Sequence, residues 1–167
     1  MWVPTLNWSP DSQLIATTLH GPPVADEAPE DSPVFNTSIV SAGGGFGVDL
    51  VDRAGMWSNP IYSPSAGPDG SPIDVQIAYF QALQPLDTVA SRYQLVIADR
   101  DGSNSHVVFP AQDQPGIAPK DAVLAWSPDA RQVAMVYQGN LYLLDLASGL
   151  MHQITQDGLS TTPRWTP

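Results

Sequence analysis

The chain contains the segment LNWSPDSQLIA at residues 6–16 and repeats it almost unchanged at residues 124–134 as LAWSPDARQVA. A weaker copy, NPIYSPS, lies at residues 59–65, and the first part of a further copy, PRWTP, lies at residues 163–167. The aromatic positions Trp8, Tyr62, Trp126 and Trp165 are therefore 54, 64 and 39 residues apart. A period of about 40–45 residues is typical of one four-stranded propeller blade, so the two longer units are predicted to carry insertions.

The composition favours strands and tight turns. The 167 residues include 17 prolines and 13 glycines, and 43% of them are hydrophobic. Short runs of Val, Ile, Leu and Tyr separate these turn formers, and no stretch has the pattern of a long amphipathic helix. The chain is therefore predicted to be globular and all-β.

The third unit shows the predicted strands most clearly, at residues 122–127, 131–138, 140–147 and 151–155. A Ser-Pro-Asp turn joins its first two strands, because proline sets one turn angle and aspartate caps its own turn. The run Val133–Tyr137 is apolar without alternation, which predicts a sheet covered on both faces by neighbouring sheets. The same order assigns four strands to each of the first two units, including 35–41, 93–99 and 106–109.

Three phrases of the chain resemble the WD40-like (PD40) repeats of the TolB-type β-propeller family: Trp-Ser-Pro-Asp, IADRDGSN at residues 97–104 and QIT at residues 153–155. The expected fold is an all-β propeller segment of three four-stranded antiparallel blades plus the first strand of a fourth. One partial domain, 1–167, would hold blades at about 1–55, 56–118 and 119–158 and a stub at 159–167. The resemblance implies a six-bladed ring, which three blades cannot close. Either the chain is part of a longer protein, or copies self-associate to cover the open blade faces.

The charge of the chain limits its partners. The net charge is -11, and only six residues are basic, so neither nucleic acid nor an anionic membrane surface is an expected partner. The chain has no cysteine, and no apolar run is long enough to insert into a membrane. We expect no cofactor and no metal site. The resemblance suggests a periplasmic or extracellular protein, with any signal or anchor outside this chain.

The insertions are predicted to gather on one face of the propeller. Three of them, at residues 20–33, 82–92 and 110–120, lengthen loops on that face, and only the insertion at 65–74 lies on the other. Loops carry function more often than strands do, so this face is the candidate recognition surface. Its densest feature is an acidic cluster that His20 and Trp57 are expected to flank, comprising Asp26, Glu27, Glu30 and Asp31. The alternative is that these carboxylates form a solvated loop without a ligand.

The sequence contains no catalytic motif. Asp99–Asn104 resembles the start of a calcium loop but lacks the downstream glutamate, and Gly43–Gly47 precedes neither a lysine nor a helix, so both are interpreted as turns. No Gly-x-Ser-x-Gly elbow occurs, and the three histidines are far apart. We predict a non-catalytic binding or scaffold module for a protein or peptide partner. The alternative is the propeller part of a larger enzyme, such as a prolyl-oligopeptidase-like peptidase or a sugar-polymer lyase.

Overall fold

The computed structural model describes residues 2–21, 28 and 31–165, and within them the chain forms three four-stranded antiparallel sheets. In each sheet the strands pair in chain order. The predicted fold class is confirmed, since the described residues have almost no helix besides a short 3-10 turn at Pro119–Asp121. The strands are β1 Leu6–Trp8, β2 Leu14–His20, β3 Phe35–Ser41, β4 Gly47–Val51, β5 Ile61–Tyr62, β6 Gln76–Ala82, β7 Tyr93–Asp99, β8 His106–Phe109, β9 Leu124–Trp126, β10 Gln132–Tyr137, β11 Asn140–Asp145 and β12 Met151–Gln153.

The first strand of each sheet is short. In β5 only Ile61 and Tyr62 pair with β6, although the sequence pattern predicts a strand over residues 60–63. Proline has no N–H to donate to a ladder, and Pro60 and Pro64 stand close to the two ends of this strand. The observed strand is therefore confined to the residues between two prolines.

The Ser-Pro-Asp turns form the same hydrogen bonds in the first and third sheets. Ser127 Oγ donates to Asp129 Oδ1 at 2.6 Å and accepts from the backbone N–H of Gln132 at 2.9 Å. In the first sheet Ser9 and Asp11 repeat the first of these bonds at 2.6 Å, and the N–H of Leu14 repeats the second at 2.9 Å. The repeated phrase therefore encodes one turn geometry, which joins the first two strands of a sheet.

A tryptophan links each of two successive repeats to the one before it. Trp126 donates its indole Nε1–H to the carbonyl oxygen of Ile61 at 3.2 Å. Trp165 donates in the same way to the carbonyl oxygen of Ala125 at 3.0 Å, and Ala125 occupies the repeat position of Ile61. Residues 159–165 form no strand, yet Trp165 lies against the third sheet as Trp126 lies against the second.

The junction between the first and second sheets uses asparagines instead. Asn7 accepts a hydrogen bond on Oδ1 from the backbone N–H of Tyr62 at 2.8 Å. Asn59 accepts from the Thr5 hydroxyl at 3.2 Å and donates through Nδ2 to the Ala122 carbonyl oxygen at 2.8 Å. Asn59 therefore connects the segments that precede the first strand of each sheet, which are β1, β5 and β9.

Two apolar cores lie between the sheets. The larger core joins the second and third sheets and includes Phe80, Tyr93 and Met135, all fully buried. The smaller core joins the first and second sheets around Ala16 and Ile77. On the first sheet Leu6 and Trp8 are respectively 66% and 54% exposed, although their neighbour Asn7 faces the second sheet. The core thus continues from sheet to sheet, as in stacked propeller blades.

Candidate functional site

The loops that the sequence assigns to the recognition surface lie at one end of the sheets. We call this the loop end, and it comprises the connections β2–β3, β6–β7 and β10–β11 together with the segments that join one sheet to the next. The opposite end, which we call the turn end, holds the connections between the first and second and between the third and fourth strands of each sheet. This division follows directly from the antiparallel strand order.

The β6–β7 loop is held in a defined conformation. The N–H of Gln84 donates to Ser91 Oγ at 2.9 Å, and the Tyr93 hydroxyl donates to the Thr88 carbonyl oxygen at 2.8 Å. Ser91 is fully buried, and Thr88 is 5% exposed. Leu86 and Val89 nevertheless remain 68% and 64% exposed. The loop therefore presents apolar side chains to solvent from an ordered backbone.

The segment that leaves β8 packs against this loop. Tyr93 and Ile117 exchange two backbone hydrogen bonds, at 2.9 and 2.8 Å. A Cβ placed on Gly116 would lie 2.7 Å from Arg92 Cβ and 2.9 Å from Leu83 Cδ1, so only glycine fits this contact. Burial raises the pKa of the Tyr93 hydroxyl from its ordinary value of 10 to about 12. The two insertions therefore form one continuous surface.

His20 and Trp57 lie at the same end of the sheets, where Trp2 connects the segments that hold them. The Trp2 indole lies edge-on to the His20 ring with centroids 6.1 Å apart, and it donates through Nε1 to the Met56 carbonyl oxygen at 3.1 Å. Asp31 is exposed on the β2–β3 connection. The predicted cluster residues Asp26, Glu27 and Glu30 lie outside the described residues.

Trp57 is half-buried and packs against the larger core. Its backbone N–H donates to the Tyr93 hydroxyl at 3.4 Å, which ties the segment before β5 to the β6–β7 loop. Its indole Nε1 is buried and has no hydrogen-bond partner within the described part of the chain. Buried indole N–H groups normally have a partner, so this donor carries a free-energy cost that the apolar packing of the ring must offset.

The described residues contain no group of three or more histidine, aspartate or glutamate side chains that could hold a metal ion. Each sheet contains one histidine: His20 ends β2, His106 begins β8 and His152 lies in β12. The calcium-like segment forms the turn between β7 and β8, where Asn104 Nδ2 donates to Asp99 Oδ2 at 2.6 Å and Ser103 Oγ donates to Asp101 Oδ1 at 2.6 Å. None of the described helices is long and apolar enough to cross a membrane.

Two features of the surface are absent from the sequence interpretation. The apolar residues of the β6–β7 loop, Leu83, Leu86 and Val89, are 49%, 68% and 64% exposed. The sequence does contain an indication of this exposed group, because three large apolar residues lie inside a predicted loop. The other feature is a groove at the turn end between the first and second sheets, which depends on long-range packing.

Comparison with known proteins bears on the class of this protein. The family model "Dipeptidyl peptidase IV (DPP IV) N-terminal region" matches residues 90–164. The Tol-Pal system protein TolB of Francisella tularensis subsp. mediasiatica is 31% identical over 115 residues, which cover 66% of this chain and 25% of that protein. The TolB of Coxiella burnetii is 30% identical over 112 residues, covering 65% and 24%. The chain thus spans about a quarter of the length of these relatives.

A solved structure shows the same fold. A chain of the crystal structure of a nidogen/laminin complex superposes with a TM-score of 0.55 at 11% sequence identity, over 91% of this chain and 47% of that chain. The resemblance to TolB-like propellers is confirmed by these matches together with the three sheets. The sequence of this chain is thus similar to that of TolB proteins, and its described residues form three four-stranded sheets of a β-propeller fold.

Proposed function

We propose that this chain is a non-catalytic module that binds a protein or peptide partner through its loop end. The observation that carries the proposal is the β6–β7 loop, which holds Leu86 and Val89 exposed on an ordered backbone. Apolar side chains that are fixed before binding lose little conformational freedom on association, which favours affinity. His20, Trp57 and the acidic residues Asp26, Glu27, Glu30 and Asp31 complete the proposed surface.

The relatives support a partner that is itself a protein. The matched curated proteins are named as components of the Tol-Pal system, which is said of those proteins and is extended to this chain only by proposal. The net charge of -11 favours a basic surface on that partner. We place the protein in the periplasm or outside the cell, in line with the same relatives.

The alternative, a propeller part of a peptidase or a sugar-polymer lyase, is less favoured. The match to the dipeptidyl peptidase IV N-terminal region spans residues 90–164, whereas the TolB relatives align over 115 and 112 residues. The proposal assigns no catalytic group to this chain, and the histidines lie in three different sheets.

The binding proposal is tested by selecting a displayed library of random dodecapeptides on the wild-type chain. Enriched peptides are then measured by biolayer interferometry on Leu86→Ser and on the matched control Leu150→Ser, since these leucines are 68% and 72% exposed and lie at opposite ends of the sheets. We expect Leu86→Ser to weaken binding about tenfold, corresponding to roughly 1.4 kcal/mol, and Leu150→Ser to leave it within about twofold. No enrichment, or equal losses in both variants, would contradict the proposal.

We further propose that copies associate through the first sheet. Leu6 and Trp8 are alternate residues of β1 and are 66% and 54% exposed, and exposed apolar side chains on one strand face favour an interaction site. Multi-angle light scattering should give a mass above one chain, and Leu6→Ser should lower it. A wild-type mass of one chain at all concentrations would refute this association.

A further inference from the structure

A groove of about 710 Å³ lies at the turn end, between the first and second sheets. Its volume falls within the range of about 300–1,000 Å³ that is usual for ligand pockets. The first sheet contributes one wall, and the second sheet contributes the other. Its lining includes Phe46, Val48 and Leu50 from the first sheet and Asp74, Asp99 and Arg100 from the second.

The wall from the first sheet is apolar and open to solvent. Phe46, just before β4, and Val48 within it are alternate residues and lie on the same face of the sheet, and Leu50, at the irregularity in the β3–β4 register, also lines the groove. Phe46 is 54% exposed and Val48 is 52% exposed. Leu50 closes the base of the groove, because a Cβ on Gly102 of the second sheet would lie only 2.9 Å from Leu50 Cδ2. The groove is therefore an open wedge with an apolar floor.

The rim of the groove is acidic. Asp74, Asp99 and Asp101 line it, whereas Arg100 is its one cationic lining residue among those described. Arg100 Nη2 already pairs with Asp11 Oδ2 at 2.6 Å, so its charge is largely neutralised. Asp74 is exposed to solvent. An occupant that carries positive charge complements this rim.

The outer edge of β4 favours an extended occupant. β4 is the last strand of its sheet, and in the described chain it pairs only with β3. A peptide strand added to this edge would place alternate side chains on the face that carries Phe46 and Val48. We propose that the groove binds an extended segment of a partner protein, whose apolar and Lys or Arg side chains share one face. This site lies at the opposite end of the sheets from the loop end and does not depend on the function proposed there.

The test uses a fluorescein-labelled peptide, Ser-Val-Ser-Phe-Ser-Lys-Ser-Arg, whose apolar and basic residues alternate with serine. Fluorescence polarisation is measured on the wild-type chain and on Val48→Ser, matched by Val107→Ser, because Val107 on β8 is 48% exposed and does not line the groove. A second pair is Asp74→Asn with Asp87→Asn, the latter in the β6–β7 loop. We expect each groove variant to weaken binding by about threefold to tenfold and each control to stay within about twofold.

Additional measurements separate binding at the groove from binding elsewhere and from misfolding. The same peptide with Glu in place of Lys and Arg should not bind, and raised salt should weaken the basic peptide. Thermal unfolding checks that Val48→Ser is folded, and Phe46→Ser replaces it if it is not. Absence of saturable binding overturns the proposal, as does an equal loss in Val107→Ser. Loss in Leu86→Ser with none in Val48→Ser would place the peptide at the loop end, and would overturn the groove while leaving the proposed function standing.

Discussion

Trp126 is joined to Ile61 by a hydrogen bond from its indole Nε1 to the Ile61 carbonyl oxygen, 3.2 Å long, across the junction of the second and third sheets. Trp126 is only 7% exposed, so its side chain is largely shielded from water, and the bond itself is partly buried. The side chain therefore contributes both apolar packing and one polar link. The tryptophan that precedes the Ser-Pro-Asp turn of the third sheet therefore joins that sheet to the second.

Replacing Trp126 by phenylalanine tests this link. The change removes the donor of a partly buried hydrogen bond and leaves a small cavity, so we expect a loss of about 1–3 kcal/mol in the free energy of unfolding. Urea unfolding followed by far-ultraviolet circular dichroism measures it. Trp165→Phe is the control: it removes an equivalent bond from a side chain that is 37% exposed, and should cost less. Equal losses would refute a special role for burial.

The acid stability of the chain should depend on Asp11. The Ser9 hydroxyl donates to its carboxylate at 2.6 Å, and with the Gln13 N–H and Arg100 this holds the pKa of Asp11 at about 2, below its ordinary value of 3.8. The unfolded chain therefore takes up this proton first as the pH falls. The stabilisation is complete above the ordinary pKa and is lost as the pH falls through the folded pKa.

Asp11→Asn should therefore make the urea midpoint less sensitive to pH between about 5 and 2. Arg100→Gln keeps the Ser9 bond, which is the largest cause of the lowered pKa, and should retain most of the pH dependence. An unchanged slope in Asp11→Asn would show that this carboxylate contributes nothing to acid unfolding.

Gly116 should be intolerant of any side chain. A Cβ there would approach Arg92 Cβ at 2.7 Å and the Tyr93 carbonyl oxygen at 3.0 Å, so Gly116→Ala must displace backbone and is expected to cost about 1–3 kcal/mol. The measurement is the shift in thermal midpoint, together with faster proteolysis in residues 83–92. Gly43→Ala is the control, because its Cβ would meet only Ser41 Oγ at 3.9 Å. A neutral Gly116→Ala would show that the two loops are not tightly packed.

Replacing Ser12 by glycine is expected to increase the free energy of unfolding. Its φ of 59° lies in the left-handed region, which costs an ordinary residue about 1–2 kcal/mol. Part of this gain is offset by the greater freedom of glycine in the unfolded chain, so we expect Ser12→Gly to stabilise by up to about 1 kcal/mol. Ser65→Gly, at an exposed position without a positive φ, should instead destabilise. The pair is compared by urea unfolding, and changes of the same sign would refute the argument.

Much of the strand pattern was predictable because turn residues mark its limits. The predicted strands at 35–41, 93–99 and 106–109 coincide with β3, β7 and β8. The strands β5 and β9 are shorter than predicted, since an apolar pattern does not show where backbone pairing ends. Local sequence thus determines the centre of each strand better than its ends.

The surface was less predictable because it depends on residues that are distant in sequence. Arg100 and Asp11 are 89 residues apart and pair only because the first and second sheets pack together. The exposure of Val48 likewise depends on the opening between those sheets, since Leu50, which lines the same groove, is more buried. The sequence predicted that the insertion carrying Leu86 belongs to a recognition surface, but its ordered conformation depends on Ser91 and Tyr93.

The acceptor for each junction tryptophan is a main-chain carbonyl oxygen, at Ile61 and at Ala125. Every residue type supplies that atom, so the side chain at the accepting position is free to differ, as isoleucine and alanine do here. A duplicated repeat therefore finds its docking partner already present in the preceding one, with no compensating substitution. Gene duplication can lengthen such a chain one repeat at a time while each intermediate keeps its junctions.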